Sequence, residues 1–208
     1  MMQNVCAALE KSGCAHLAYF SSDAVYDAGL SRVTEESPAS PQDLYGTMHH
    51  TREIMARSLG ETPVLILRPT TVYGSDDTHN SYGPNRFRRA AANDGKITLF
   101  GGGEETRDHI HVNDVAEITV RALIHKSYGT LNLATGTSTS FYEVAEAVGS
   151  QFDHNIEVTT TPRVNPITHR HYDVINLIKA FPDFRFIGLE DGIARTHKDS
   201  IKAAQSGS

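Results

Sequence analysis

Three short, continuous apolar runs most constrain what this 208-residue chain can fold into: "HLAYFSS" at 16–22, "PVLILRPTTVYG" at 63–74 and "GTLNLAT" at 129–135. Their length and their lack of polar alternation predict strands buried on both faces. Segments of helical period separate them. "MMQNVCAALEKSG" stops at Gly13, "LYGTMHHTREIMARSLG" ends near Gly60, and "NDVAEITVRALIHKS" carries a 3.6-residue apolar stripe with Asn113 or Asp114 as its N-cap. Apolar strands alternating with helices imply an α/β fold with a parallel sheet covered on both sides.

The rest of the chain has a different texture. "GLSRVTEESPASPQD" reads as a surface loop, and "SDDTHNSYGPNRFRRAAANDGK" as a polar loop leading into a short helix. "ITLFGGGEETRDHIHV" reads as a strand, a glycine hairpin turn and a second strand. Ser140 introduces the helix "SFYEVAEAVGSQF", followed by a strand "IEVTTT" and the helices "DVINLIKAF" and "LEDGIARTHKDSIKAA". At 39% hydrophobic and 21% charged residues the chain can bury a real core. Its 25 acidic against 19 basic residues argue against nucleic acid or an anionic membrane as partner, because both require clustered cations. No apolar run approaches a membrane span. Cys6 and Cys14, eight apart on one predicted helix, are poorly placed to bridge, and two cysteines suit a reducing compartment, so a cytoplasmic protein is expected.

Chemistry enters where "FSSDAVY" at 20–26 meets "LYGTMHH" at 44–50. Ser22 ends a buried strand and Tyr45 lies in the first turn of the next helix. Ligands of open α/β sheets bind outside the carboxyl ends of the strands, so these two hydroxyls can converge on one. Tyrosine ordinarily titrates near about 10 and needs a neighbour that favours the phenolate if it is to exchange protons at neutral pH. The residue one helical turn on is His49, mostly neutral at pH 7. Read alone, the pair is as compatible with a core tyrosine and a surface histidine.

The segment "YFSSDAVY…TEESPASPQDLYGTMHH" resembles the hydroxyl, Val-Tyr, Pro, Tyr-Gly series of the extended short-chain dehydrogenase/reductases, the NAD-dependent nucleotide-sugar epimerases and dehydratases. "LRPTTVYG" is similar to their Arg-x-x-Asn-Val-Tyr-Gly strand end, and "LFGGGEETRDHIHVNDVAE" to their Gly-x-Gly-x-x-x-Arg-Asp-x-Ile-His-Val-x-Asp segment. The likeness is collinear over nearly the whole chain. It implies that Ser22 and Tyr45 perform proton transfer while nicotinamide takes the hydride, with His49 at the position of the family's lysine. Tyr45, His49, Pro69 and Val72 would face the NAD or NADP cofactor. Ser22, Asp23, Thr71, Asn80, Asn85, Arg86, Phe87 and Arg107 would contact a nucleotide-sugar substrate, Arg107 through the diphosphate. A plainer role for Arg107 is an ion pair with Asp108.

The same resemblance implies a division of the chain. Residues 1–74 and 108–140 would be the remaining part of a Rossmann-type sheet whose N-terminal strands are missing. Residues 75–107 and 141–208 would form a small α+β nucleotide-sugar-binding region. Two departures stand out: His49 in place of lysine together with Thr71 in place of asparagine, and the absence of the glycine-rich dinucleotide turn. Arg52, seven residues after Tyr45 on the same helical face, is a possible substitute cation. The expectations are therefore an NAD(P)-dependent epimerase, dehydratase or reductase, a non-catalytic nucleotide-sugar-binding relative, or a half-enzyme completed by an N-terminal segment or a second chain. A homodimer through the helices 1–13 and 44–60 is implied as well. His109 and His111 alternate on one strand, as do His169 and His171, but no cysteine or carboxylate stands at ligand spacing, so no metal is expected.

Overall fold

The structure, a computed structural model, describes residues 1–60 and 62–206. In chain order its elements are α1 (Met2–Ser12), β1 (Leu17–Phe20), a 3-10 turn (Asp23–Val25), β2 (Arg32–Val33), α2 (Leu44–Arg57), β3 (Val64–Pro69), β4 (Thr71–Tyr73) and α3 (Pro84–Asp94). They continue with β5 (Lys96–Phe100), β6 (Thr106–His111), α4 (Val112–Ile124), β7 (Gly129–Leu133), β8 (Ser138–Ser140) and α5 (Phe141–Gly149). β9 (Glu157–Thr161), β10 (His171–Tyr172), α6 (Ile175–Ala180) and α7 (Leu189–Ser206) complete it.

The three apolar runs form one parallel sheet in the order β1-β3-β7. Leu17 pairs with Val64 at one side of β3, and Leu65 with Gly129 at the other. Leu65, Ile66 and Leu67 at its centre are buried, as a strand covered on both faces requires. The run "PVLILRPTTVYG", expected as one strand, is broken at Thr70. There the chain leaves the first sheet: the Thr70 N–H donates to Leu133 O at 3.1 Å and its hydroxyl to Asp108 O at 3.2 Å. β4 continues in a second sheet, parallel to β6, which pairs antiparallel with β8.

Three further sequence expectations are corrected. β5 and β6 are not a hairpin; β5 pairs in parallel with β9, and β6 belongs to the second sheet. Gly101 and Gly103, with φ of 61° and 77°, turn the chain out of β5. The Gly103 carbonyl and the Glu105 carbonyl then accept from the Tyr142 and Phe141 N–H groups, which carries the chain across to α5 and away from its own strand. The N-cap of α4 is His111, whose Nδ1 accepts from the Asn113 N–H at 3.2 Å, so the helix starts before the polar pair that signalled it. Gly13 and Ser140 behave as expected. Gly13 ends α1, and Ser140 caps α5 in a capping box with Glu143. The predicted loop at 29–43 contains β2, which pairs with β10.

One core joins Leu65 and Leu67 of β3, Ile110 of β6, Ile118 of α4, Leu131 and Leu133 of β7, and Leu177 and Phe181 around α6. A second joins Phe87 and Ala91 of α3, Ile97 and Leu99 of β5, the buried face of α5, and Ile193 of α7. Among the described residues no helix is long and apolar enough to cross a membrane.

Candidate functional site

The carboxyl end of β1 leads directly into Ser22, which is buried and caps the 3-10 turn by accepting from the Ala24 N–H at 3.2 Å. α2 begins at the Asp43 cap, whose carboxylate accepts from Gly46 N–H at 2.7 Å. Gly46 faces the Ala24 carbonyl, and a Cβ there would run into that oxygen. Glycine therefore lets the first turn of α2 lie against the Ser22 turn. Tyr45, its neighbour, stands 56% exposed at this junction. The sequence-predicted serine and tyrosine thus lie on touching elements at the open end of the sheet.

His49 follows one turn along α2, its ring 4.6 Å from that of Tyr45 in an edge-on arrangement. Its Nδ1 lies 3.2 Å from the Tyr19 hydroxyl. Burial and then the Arg52 charge push its pKa below the ordinary histidine value, so the ring is neutral at pH 7. The pinning of α2 was not foreseen in the sequence. Glu53 is fully buried and accepts from Arg68 of β3 through both carboxylate oxygens, at 2.8 and 2.6 Å. Arg68 stacks 4.7 Å from the centre of the Tyr26 ring, and Tyr26 donates to Asn132 at 2.7 Å. The signal was the four-residue step from His49 to Glu53 and the lone arginine in an otherwise apolar strand.

Asp23 is engaged within the chain. Its carboxylate accepts from Tyr172 at 2.6 Å and pairs with Arg170 at 3.4 Å, which ties β10 to the Ser22 turn. Pro69 ends β3, and Val72 on β4 packs against the first core. Thr71 pairs with His109 in the β4–β6 register. His109 is buried with neither ring nitrogen partnered, and burial, then Arg107, push its pKa down to about 3.

The remaining expected contacts gather around α3 and β6. Asn80 accepts from Arg89 at 3.2 Å, and Asn85 is buried and accepts from the Gly74 N–H at 3.2 Å. Phe87 is a core side chain at 1% exposure, whereas Arg86 lies over the Tyr82 ring at 5.8 Å. Tyr82 stacks on Phe100, 45% exposed at the end of β5. Arg86, Arg89, Lys96 and Thr98 line a cleft of about 570 Å³. Arg107 does not pair with Asp108, whose carboxylate accepts from Thr135 and Gly136. It pairs with Glu105 at 2.5 Å and donates to the Thr168 hydroxyl and carbonyl. Arg163, absent from the sequence-based list, reaches the other oxygen of Glu105 at 3.0 Å. A larger cleft of about 650 Å³ is lined by Glu143, Glu146, Glu190 and Asp191, and its charge disfavours an anionic ligand.

The model of the NAD dependent epimerase/dehydratase family matches residues 1–134. UDP-glucose 4-epimerase 4 from Oryza sativa subsp. japonica is 30% identical over 177 residues, which are 73% of this chain and 48% of that protein. The chain therefore spans about half the length of that relative. Among solved structures, UDP-N-acetylglucosamine 4-epimerase from Methanobrevibacter ruminantium M1 superimposes with a TM-score of 0.87 at 22% identity, covering 97% of this chain and 68% of the other. UDP-glucuronic acid 4-epimerase from Bacillus cereus, solved in complex with NAD, gives 0.84 at 20% identity, over 100% and 66% of the two chains. At these identities the superpositions speak for the fold, which is Rossmann-like.

Proposed function

Because this chain belongs to the NAD dependent epimerase/dehydratase family, we propose that it carries the nucleotide-sugar side of an NAD(P)-dependent epimerase or dehydratase. Ser22 and Tyr45 stand at the reacting carbon and Arg107 on the diphosphate. The observation that carries this reading is Tyr45, exposed in the first turn of α2 and seated by Gly46 against the turn that Ser22 caps. The residues present suit the nicotinamide end of a cofactor: an exposed phenol and a neutral imidazole on one face of α2, with Pro69 and Val72 where the chain crosses between sheets. When bound, the nicotinamide supplies hydride exchange at the sugar carbon. Tyr45 moves the proton at the sugar oxygen, and the Ser22 hydroxyl, turned from the Asp23 carboxylate to which it donates at 3.4 Å, donates to that oxygen and holds it in place.

A neutral His49 contributes no charge to the phenolate, so fixed positive charge on this face comes from Arg52. Arg107 and Arg163 face one anion-sized position, which suits a diphosphate, and the exposed Phe100 ring beside them suits a stacked base. Among the neighbours, the relatives named above act on UDP-sugars, in keeping with this class of substrate. A homodimer through α1 and α2 belongs to the same reading, since Val5, Met48 and Ile54 are exposed on those helices. The free thiols of Cys6 and Cys14 fit a reducing compartment.

The test is turnover of UDP-sugars by the protein supplied with NAD or NADP, followed by nicotinamide absorbance and product analysis. Tyr45→Phe should abolish turnover while UDP-sugar binding persists; an active Tyr45→Phe protein would refute the mechanism. The tie between His49 and Tyr19 favours a second reading, a nucleotide-sugar-binding relative without catalysis. In that case the protein binds UDP-sugar with no change at the nicotinamide, and His49→Lys is the variant that would restore it.

A further inference from the structure

The arginine pair already holds an anion, and the anion is part of the chain. Glu105 spans both guanidinium groups: Oε1 accepts from Arg107 at 2.5 Å and Oε2 from Arg163 at 3.0 Å. The Thr168 hydroxyl also donates to Oε1 at 2.9 Å. Two guanidiniums and a hydroxyl on one pair of oxygens is the arrangement that a phosphate receives. Arg163 also donates from Nη2 to the Phe100 carbonyl at 3.0 Å, so only part of its guanidinium faces the carboxylate. Glu105 is ionised at neutral pH, since Arg163, Thr168 and Arg107 outweigh the burial that would raise its pKa.

We propose that Glu105 is a specificity-determining residue, an internal carboxylate that fills the Arg107–Arg163 position until the phosphates of the ligand displace it. The inference rests on the reading of Arg107 as a diphosphate ligand given above. A displaced carboxylate stays tethered nearby, so every incoming anion meets a repulsion that only a multiply charged phosphate chain, gripping both arginines, overcomes. Glu105 thus lowers affinity for all phosphates and widens the gap between diphosphates and singly phosphorylated compounds. It also holds the two guanidiniums together in the empty protein, where bare like charges would splay.

Calorimetric titration with UDP, UMP and uridine tests this on the unaltered protein and on Glu105→Gln, Glu105→Ala and Arg107→Met. Removing one like charge a few ångströms from the bound phosphates is expected to tighten UDP binding by about tenfold in Glu105→Gln and to leave uridine unchanged. The UDP-to-UMP preference should narrow. Equal or weaker UDP binding by both Glu105 variants, with Arg107→Met weaker still, overturns the role of Glu105 and keeps the diphosphate reading. UDP binding by Arg107→Met as tight as by the unaltered protein overturns the diphosphate reading and the inference with it. Should the Glu105 variants fail to fold, the carboxyl carbon resonance of Glu105 in the unaltered protein decides. It moves towards that of a free glutamate on UDP addition if the carboxylate is displaced, and stays put if it is not.

Discussion

Glu53 offers the sharpest test of how the site is held. Its carboxylate has no exposure, and it answers two oxygens' worth of hydrogen bonds from Arg68, itself 5% exposed at the side chain, plus a third from Arg57 at 3.2 Å. Glu53→Gln preserves the shape and leaves Arg68 as a buried cation without its counter-ion. Breaking one side of such a pair costs about 3–5 kcal/mol. Arg57 does not repair the loss, because it is half-exposed and is itself a cation. Replacing both partners, as Glu53→Leu with Arg68→Met, removes the desolvation of two charges together and should leave stability within about 1–2 kcal/mol of the original. Urea unfolding of the two single variants and the double variant closes the cycle, and the coupling should exceed about 2 kcal/mol. The pH response has a definite sign. Burial would raise the Glu53 pKa, but Arg68 and its neighbours hold it below the ordinary value. Its contribution is therefore complete above the unfolded pKa and disappears as the pH falls through the folded one. A Glu53→Gln cost below about 1 kcal/mol, or strictly additive variants, would show that the pair does not hold α2 on β3.

His109 gives an opposite case on the same axis. With its pKa down at about 3 against an ordinary 6.5, the folded protein refuses a proton that the unfolded chain takes. Stability should fall as the pH drops below 6.5, by about 2 kcal/mol at pH 5, and the difference between the unaltered protein and His109→Phe across that range reads this contribution alone. Gly46→Ala should push the first turn of α2 away from Ala24, lowering turnover more than UDP-sugar binding, as seen in a kcat loss with little change in KM. Equal loss in both would mean that the glycine serves only the fold.

The parallel sheet was legible because its strands are continuous apolar runs, and the position of Ser22 at its open end was legible because the serine closes such a run. What escaped the sequence depended on distance along the chain. Arg163 lies 58 residues from Glu105, and nothing local in "TTTPRVNP" marks it as part of a phosphate-sized position. The break at Thr70 was hidden because both halves of 63–74 are apolar, and only hydrogen bonds to Leu133 and Asp108 decide where one sheet ends. The hairpin was misread for a related reason. Glycines signal a reversal, but the partner of β5 is β9, and pairing over 61 residues has no local signature.

The stitch at Thr70 also fixes the spacing between the two sheets. It joins the sheet under Tyr45 to the sheet that bears Arg107 through a single residue, bonded to both sides, with no loop between β3 and β4 to absorb a change in spacing. Tyr45 is clamped to β3 through α2, and Arg107 sits two residues before the partner of Thr71. On the proposed reading of Tyr45 and Arg107, the two ends would act as the jaws of a fixed calliper, and a ligand engaging both would be gauged for length before its chemistry is examined.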